Sequence, residues 1–146
     1  MTDLLVIALI AGRRCAMHAH DVHSVIEAGT ISPIPRTPDH IVGLSALRSQ
    51  ALTVVDCRLS LGIALDGLPT DERAAVVKVA GHSYALQVDA IEDVEQSLSE
   101  PAQVSGGFGP EWSRAGKGMV ETTGGPALLL DIQQIVAGPE QAAKVA

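Results

Sequence analysis

Three histidines within six residues, His18, His20 and His23, flank Asp21 and form the densest set of metal-ligating side chains in the chain. On a strand, His18 and His20 share one face, and His23 a turn further on would complete three nitrogen ligands for a zinc ion. No cysteine or acidic residue elsewhere has the spacing that finishes such a site. They are therefore read as partly exposed histidines near a strand end, able to respond to pH, and neither a metal nor another cofactor is expected. Cys15 and Cys57 are isolated and set in strand-like surroundings, where a buried thiol is inert. Gly106-Gly107-Phe108-Gly109-Pro110 has the glycines of a phosphate loop but neither a GK[ST] ending nor a clear following helix. The stretch 99–118 is read as a mobile surface loop. With no GxSxG elbow, and carboxylates scattered over turns and strand ends, no catalytic constellation assembles, so the chain is not expected to be an enzyme.

The elements that carry these residues are short Val/Ile/Leu runs punctuated by Gly, Pro and polar turns, the pattern of a sandwich or of small barrels. Leu4–Ile10, Arg14–Ala19, Ala28–Pro33, Val42–Leu47 and Ala51–Asp56 read as strands. Short helical turns are expected over Asp21–Ala28, capped by Asp21, and over Arg58–Leu65. After Gly67-Leu68-Pro69 a second set follows: Ala74–Val79, Ser83–Val88, Ala90–Leu98, Gly118–Glu121 and Ala127–Leu130, closed by a helix over Asp131–Val136 with Asp131 as its cap. Each half opens on a hairpin, turned by Ala11-Gly12-Arg13 and Ala80-Gly81-His82, and continues through an aspartate-led apolar motif at Asp21 and at Asp89. The fold class predicted is mainly all-β: two pseudo-duplicated five-stranded barrels, about 12–66 and about 73–130, sharing a core within a single domain 1–138. Each alone, at roughly 60 residues, would be marginal. The N- and C-terminal segments pack across, and 139–146 is expected to fray.

Composition narrows the partners. Ten basic against seventeen acidic residues give a formal net charge of -7, which repels nucleic acid and anionic lipid alike. Phe108, Trp112 and Tyr84 are the only aromatics, so the core must be aliphatic and base stacking has few platforms. The apolar run Leu4–Ala11 lacks a basic flank before it and reads as a strand, not a signal peptide. No apolar stretch approaches eighteen residues, so no spanning helix is expected. Two reduced thiols then fit a cytoplasmic protein.

The stretch Ile41–Gly62, with Ala46-Leu47-Arg48-Ser49 between two apolar runs and Asp56-Cys57-Arg58 after the second, resembles the signature of the CheW family of chemotaxis adaptors. In that family a Gly-x-x-asparagine-leucine-arginine-glycine turn links two strands, and the second ends in aspartate-leucine-arginine. The segment Thr30–Pro35, then Pro38–Leu44, is similar to the family's proline-containing lead into that turn. Leu86–Val94 and Leu128–Asp131 look like later strands of the same family, so the likeness runs from Leu5 to Ala137. Ala46 and Ser49 depart from the family's asparagine and glycine. If position 49 needs a left-handed backbone, a serine there costs roughly 1 to 2 kcal/mol.

The resemblance implies a non-enzymatic adaptor that links the cytoplasmic tips of methyl-accepting chemoreceptors to the regulatory domain of a CheA-type histidine kinase. It would sit in the cytoplasm, recruited to membrane-associated receptor arrays without inserting in the membrane. A chemosensory-like pathway controlling pili or biofilm is the alternative within this class; a metal- or small-molecule-binding β-barrel is the alternative outside it. By the same resemblance the receptor surface comprises Val25, Ile26, Glu27, Ile41, Gly43, Leu44 and Arg48, with Glu27 and Arg48 as an ion pair at its edge. The kinase-binding residues stay unassigned.

Overall fold

The computed structural model describes residues 3–47, 50–63, 72–104 and 107–139. Ten strands form two five-stranded sheets: β1 (Leu4–Ile10), β2 (Arg13–His18), β3 (Val22–Glu27), β4 (Ile41–Leu47), β5 (Gln50–Asp56), β6 (Arg73–Val79), β7 (His82–Gln87), β8 (Ala90–Gln96), β9 (Gly116–Thr122) and β10 (Gly125–Leu130). Two short helices follow β5 and β10 respectively, α1 (Cys57–Ser60) and α2 (Ile132–Ala137).

The hairpins form where the turn residues predict them. Ala11-Gly12 joins β1 to β2 and Ala80-Gly81 joins β6 to β7, and all four turn residues take positive φ, between 51° and 83°. Such turns match the twist of the strands they connect. Both helices start on an aspartate: Asp56 accepts from the Arg58 amide, and Asp131 from the amides of Gln133 and Gln134.

What differs from expectation is how the halves combine. One sheet has the order β8-β1-β2-β10-β9 and the other β3-β6-β7-β5-β4. The β1–β2 hairpin thus completes a sheet built from the last three strands, and the β6–β7 hairpin completes the sheet of β3, β4 and β5. Exchanging each strand of the first half with the one five places later turns one order into the other. Parallel pairs occupy corresponding places, β2 beside β10 and β7 beside β5. The two sheets therefore share one strand order, and neither sheet is confined to 12–66 or 73–130, because each takes its central hairpin from the other half. Hydrophobic rhythm reports strands, not their partners.

Three smaller corrections concern local elements. Asp21–Ala28 is not helical: a single 3-10 turn covers Ala19–Asp21, and the β-branched residues Val22, Val25 and Ile26 lie in β3, paired with β6. Ala28–Pro33 is not a strand. Only Ser32 makes a bridge there, to Leu44, and the prolines at 33, 35 and 38 lack the N–H a ladder needs. The expected mobile loop is anchored in its second part, since Phe108, Trp112 and Ala115 are buried in the core. Residues 140–146 of the expected frayed tail lie outside the described residues.

The central strands of each sheet bury both faces, which is why β1 reads LLVIALI without alternation, whereas the outer strands β3 and β8 are largely exposed. Facing each other, Val6, Ala8, Cys15 and Leu128 of one sheet meet Val55, Ala75, Val77 and Leu86 of the other in a shared core. On its other face each sheet closes over a smaller cluster, Leu5, Ile7, Ala16, Val120, Ala127 and Leu129 in one and Leu52, Val54, Ala74, Val76 and Ala85 in the other.

Candidate functional site

A cleft of about 690 Å³ opens between the end of β3, the segment leading into β4, and the junction of β5 with α1. Four carboxylates line it, Glu27, Asp39, Asp56 and Glu72, over apolar walls that include Ile31, Pro38, Ile41 and Leu59. Asp56 is buried because it answers a buried cation. The Arg58 guanidinium approaches both Asp56 carboxylate oxygens, at 3.3 and 3.2 Å, and lies 3.8 Å from Asp89. Asp89 in turn accepts from the Ala11 amide at 2.7 Å, so one guanidinium ties α1 to the exchanged β1–β2 hairpin. Hydrogen bonding to Asp56, followed by the two negative charges, pushes the Arg58 pKa up against the opposing effect of burial. The sequence shows Asp56 and Arg58 side by side but gives no sign of Asp89 as their third member.

The structure divides the residues predicted for the receptor surface. Glu27 and Ile41 line the cleft together, Glu27 exposed at its rim opposite Arg73 across the β3–β6 pair. Val25 and Leu44 are exposed aliphatics, 41% and 39% accessible. Val25 and Ile41 stand at the two ends of one row across the sheet, Val25–Ala75–Leu86–Val55–Ile41, whose middle is buried in the shared core. Ile26 turns the other way and packs on the cluster of Leu52 and Val54. Gly43 is buried, and its role is internal: a Cβ there would collide with the Ser32 carbonyl group. The glycine admits its own chain's Ser32–Leu44 bridge, made by two hydrogen bonds of 2.8 Å. Arg48, with its expected pairing to Glu27, and Ser49 lie outside the described residues.

Outside the cleft, His18 and His20 stack with ring centroids 5.0 Å apart, while His20 pairs with Asp21 at 3.4 Å. His23 is exposed on β3. Among the described residues no group of three or more His, Cys, Asp or Glu side chains is arranged to hold a metal ion. Burial pushes the Cys15 thiol up to about 12 and Cys57 well above its ordinary value, so both stay protonated and unreactive at neutral pH. No described helix is long and apolar enough to cross a membrane.

Two five-stranded sheets, an acidic, apolar-walled cleft, and the exposed aliphatics Val25 and Leu44 on the sheet that carries it are what the described residues offer at the surface. The CheW-like domain family model matches residues 4–140, and the chain belongs to that family. Among solved structures, it is similar to the scaffolding protein TtCheW from Thermoanaerobacter tengcongensis, at 26% identity and a TM-score of 0.75, covering 90% of each chain. No curated protein matches it.

Proposed function

We propose that this chain is a non-enzymatic adaptor of chemotaxis signalling, linking the cytoplasmic tips of methyl-accepting chemoreceptors to the regulatory domain of a CheA-type histidine kinase. It acts in the cytoplasm, at membrane-associated receptor arrays, without inserting in the membrane. The observation that carries this reading is the family match over residues 4–140 together with the likeness, over 90% of both chains, to a protein described as scaffolding. On the receptor side, Val25, Glu27, Ile41, Leu44 and Arg48 are the proposed contacts. Gly43 and Ile26 support that surface from beneath.

Calorimetry with the purified kinase regulatory domain and a soluble receptor-tip fragment tests the proposal. Micromolar binding, roughly -8 kcal/mol, is expected. Arg48→Ala is expected to weaken assembly tenfold or more, about 1.4 kcal/mol, with Glu27→Ala adding less once Arg48 is gone, since paired residues do not act additively. Absence of binding to every kinase regulatory domain and receptor tip of the same organism overturns the reading.

A further inference from the structure

The last turn of a helix leaves carbonyl oxygens without intrahelical partners. In α2 three consecutive carbonyls, of which that of Gln134 also accepts from the Gly138 amide, are each met by a side chain from a different part of the chain. Arg114 donates to the Gln134 carbonyl, Ser60 Oγ to that of Ile135, and His40 Nε2 to that of Val136 at 3.0 Å. Arg114 reaches on to the Ser60 carbonyl at 2.7 Å, so the three donors form one collar around the helix end. Because a carbonyl only accepts, His40 carries its proton on Nε2. That leaves Nδ1 as a lone pair, and it is buried with no hydrogen-bond partner among the described residues.

His40 is 2% exposed and tightly confined. Its ring lies where a Cβ on Gly138 would stand, and its carbonyl accepts from the Asp56 amide at 2.9 Å. A second ring proton would be placed in a site with no acceptor, at a free-energy cost of a buried unpaired donor on a charged group. Leaving the site relieves that cost for the charged imidazole. Of the three donors in the collar, it alone changes charge between pH 5 and 8.

We propose that His40 is an acid-released latch: proton uptake by its imidazole withdraws it from Val136 and frees the end of α2 from the segment that leads into β4. Because Pro38 and Asp39 of that segment line the cleft, the same event loosens the cleft wall. The charged groups around the ring are consistent with this direction. Arg114, in the collar, disfavours a second cation, whereas Asp39 favours one; Asp56, on the β5–α1 side, is already engaged by Arg58, and residues 132–138 contribute no charged side chain. Burial outweighs the Val136 bond and Asp39, and holds the imidazole below its ordinary value. A group whose folded pKa is depressed contributes stability above its unfolded pKa, about 6.5 for histidine, and loses it as pH falls from there toward the folded value.

Hydrogen exchange on the full chain at pH 7.5 and pH 5.5, corrected for intrinsic rates, tests the latch. The opening equilibrium of 132–138 is expected to rise about fivefold to tenfold at the lower pH, against unchanged exchange in β6. His40→Gln retains a donor that does not titrate, and its α2 exchange should be the same at both pH values. Ser60→Ala loosens α2 at both pH values yet should keep the wild-type ratio between them. Should His40→Gln not fold, the wild-type ratio and an NMR titration of the His40 ring decide: the ring should titrate together with the α2 amides. Wild-type α2 exchanging equally at both pH values, or a His40→Gln variant with the wild-type response, overturns the proposal.

Discussion

Replacing Arg58 by methionine removes a guanidinium whose side chain is 7% exposed and leaves the 6%-exposed Asp56 carboxylate facing Asp89 without its counter-charge. Methionine roughly preserves the volume of the stem, so the loss is electrostatic in origin. Breaking a buried pair by removing one partner costs on the order of 3 to 5 kcal/mol, and the geometry here places Arg58→Met in that range. Asp56→Asn keeps the cap of α1, because asparagine serves that position as well as aspartate, but removes the carboxylate that engages the guanidinium most closely. In the double variant neither uncompensated charge remains, so its loss should fall short of the sum of the single losses by at least 1 kcal/mol. Urea unfolding at pH 7 provides the measurement. With a slope of about 1.5 kcal/mol per molar, Arg58→Met should lower the midpoint by about 2 to 3 M. A loss under about 1 kcal/mol, or strictly additive losses, would refute the assignment of this triad as the tie between α1 and the exchanged hairpin.

Two further outcomes are expected. Gly43→Ala should destabilise by about 2 kcal/mol or more, because its Cβ meets Ser32 backbone and the two bridge hydrogen bonds must open; Gly118→Ala, whose nearest contact is 3.0 Å, should cost less, and the reverse ranking in thermal melts would count against the steric account. Cys15 and Cys57 should resist an aromatic disulfide reagent at pH 8 in the native protein and both react in denaturant, whereas rapid native labelling would contradict their burial.

Much of the strand layout was legible because its signals are local. Ala11-Gly12 and Ala80-Gly81 announce their hairpins, and Asp131 announces α2 through its own cap. Asp21 misled for the same reason: an aspartate ahead of Val22 and Val25 looks like a helix start until β6 is there to pair with. Phe108 and Trp112 sit among glycines and a proline that by turn chemistry alone predict surface, while their burial depends on a core assembled from distant strands. The Glu27–Ile41 cleft was half visible, since the resemblance named both residues but Asp56 and Glu72 reach it only through the exchange. His40 gave no sequence signal at all. Its partner Val136 and its neighbour Arg114 are separated from it by most of the chain, and no spacing rule connects three donors on three segments.

The exchanged hairpins also set a clock on the ribosome. The β1–β2 hairpin is made first, yet its neighbours in the sheet are β8 and β10, with Leu4 opposite Gln96 and Cys15 opposite Leu128. At elongation rates of about 5 to 20 residues per second, roughly 5 to 20 s separate the birth of that hairpin from the arrival of β10. Until β8 emerges, partway through that interval, the apolar strand LLVIALI has a turn partner but no sheet. Both of its faces and one edge stay open to pairing with another chain. Slow, non-local closure of this kind is what high contact order means during translation, and it makes the nascent chain, more than the finished fold, the state in which this protein is most exposed to aggregation.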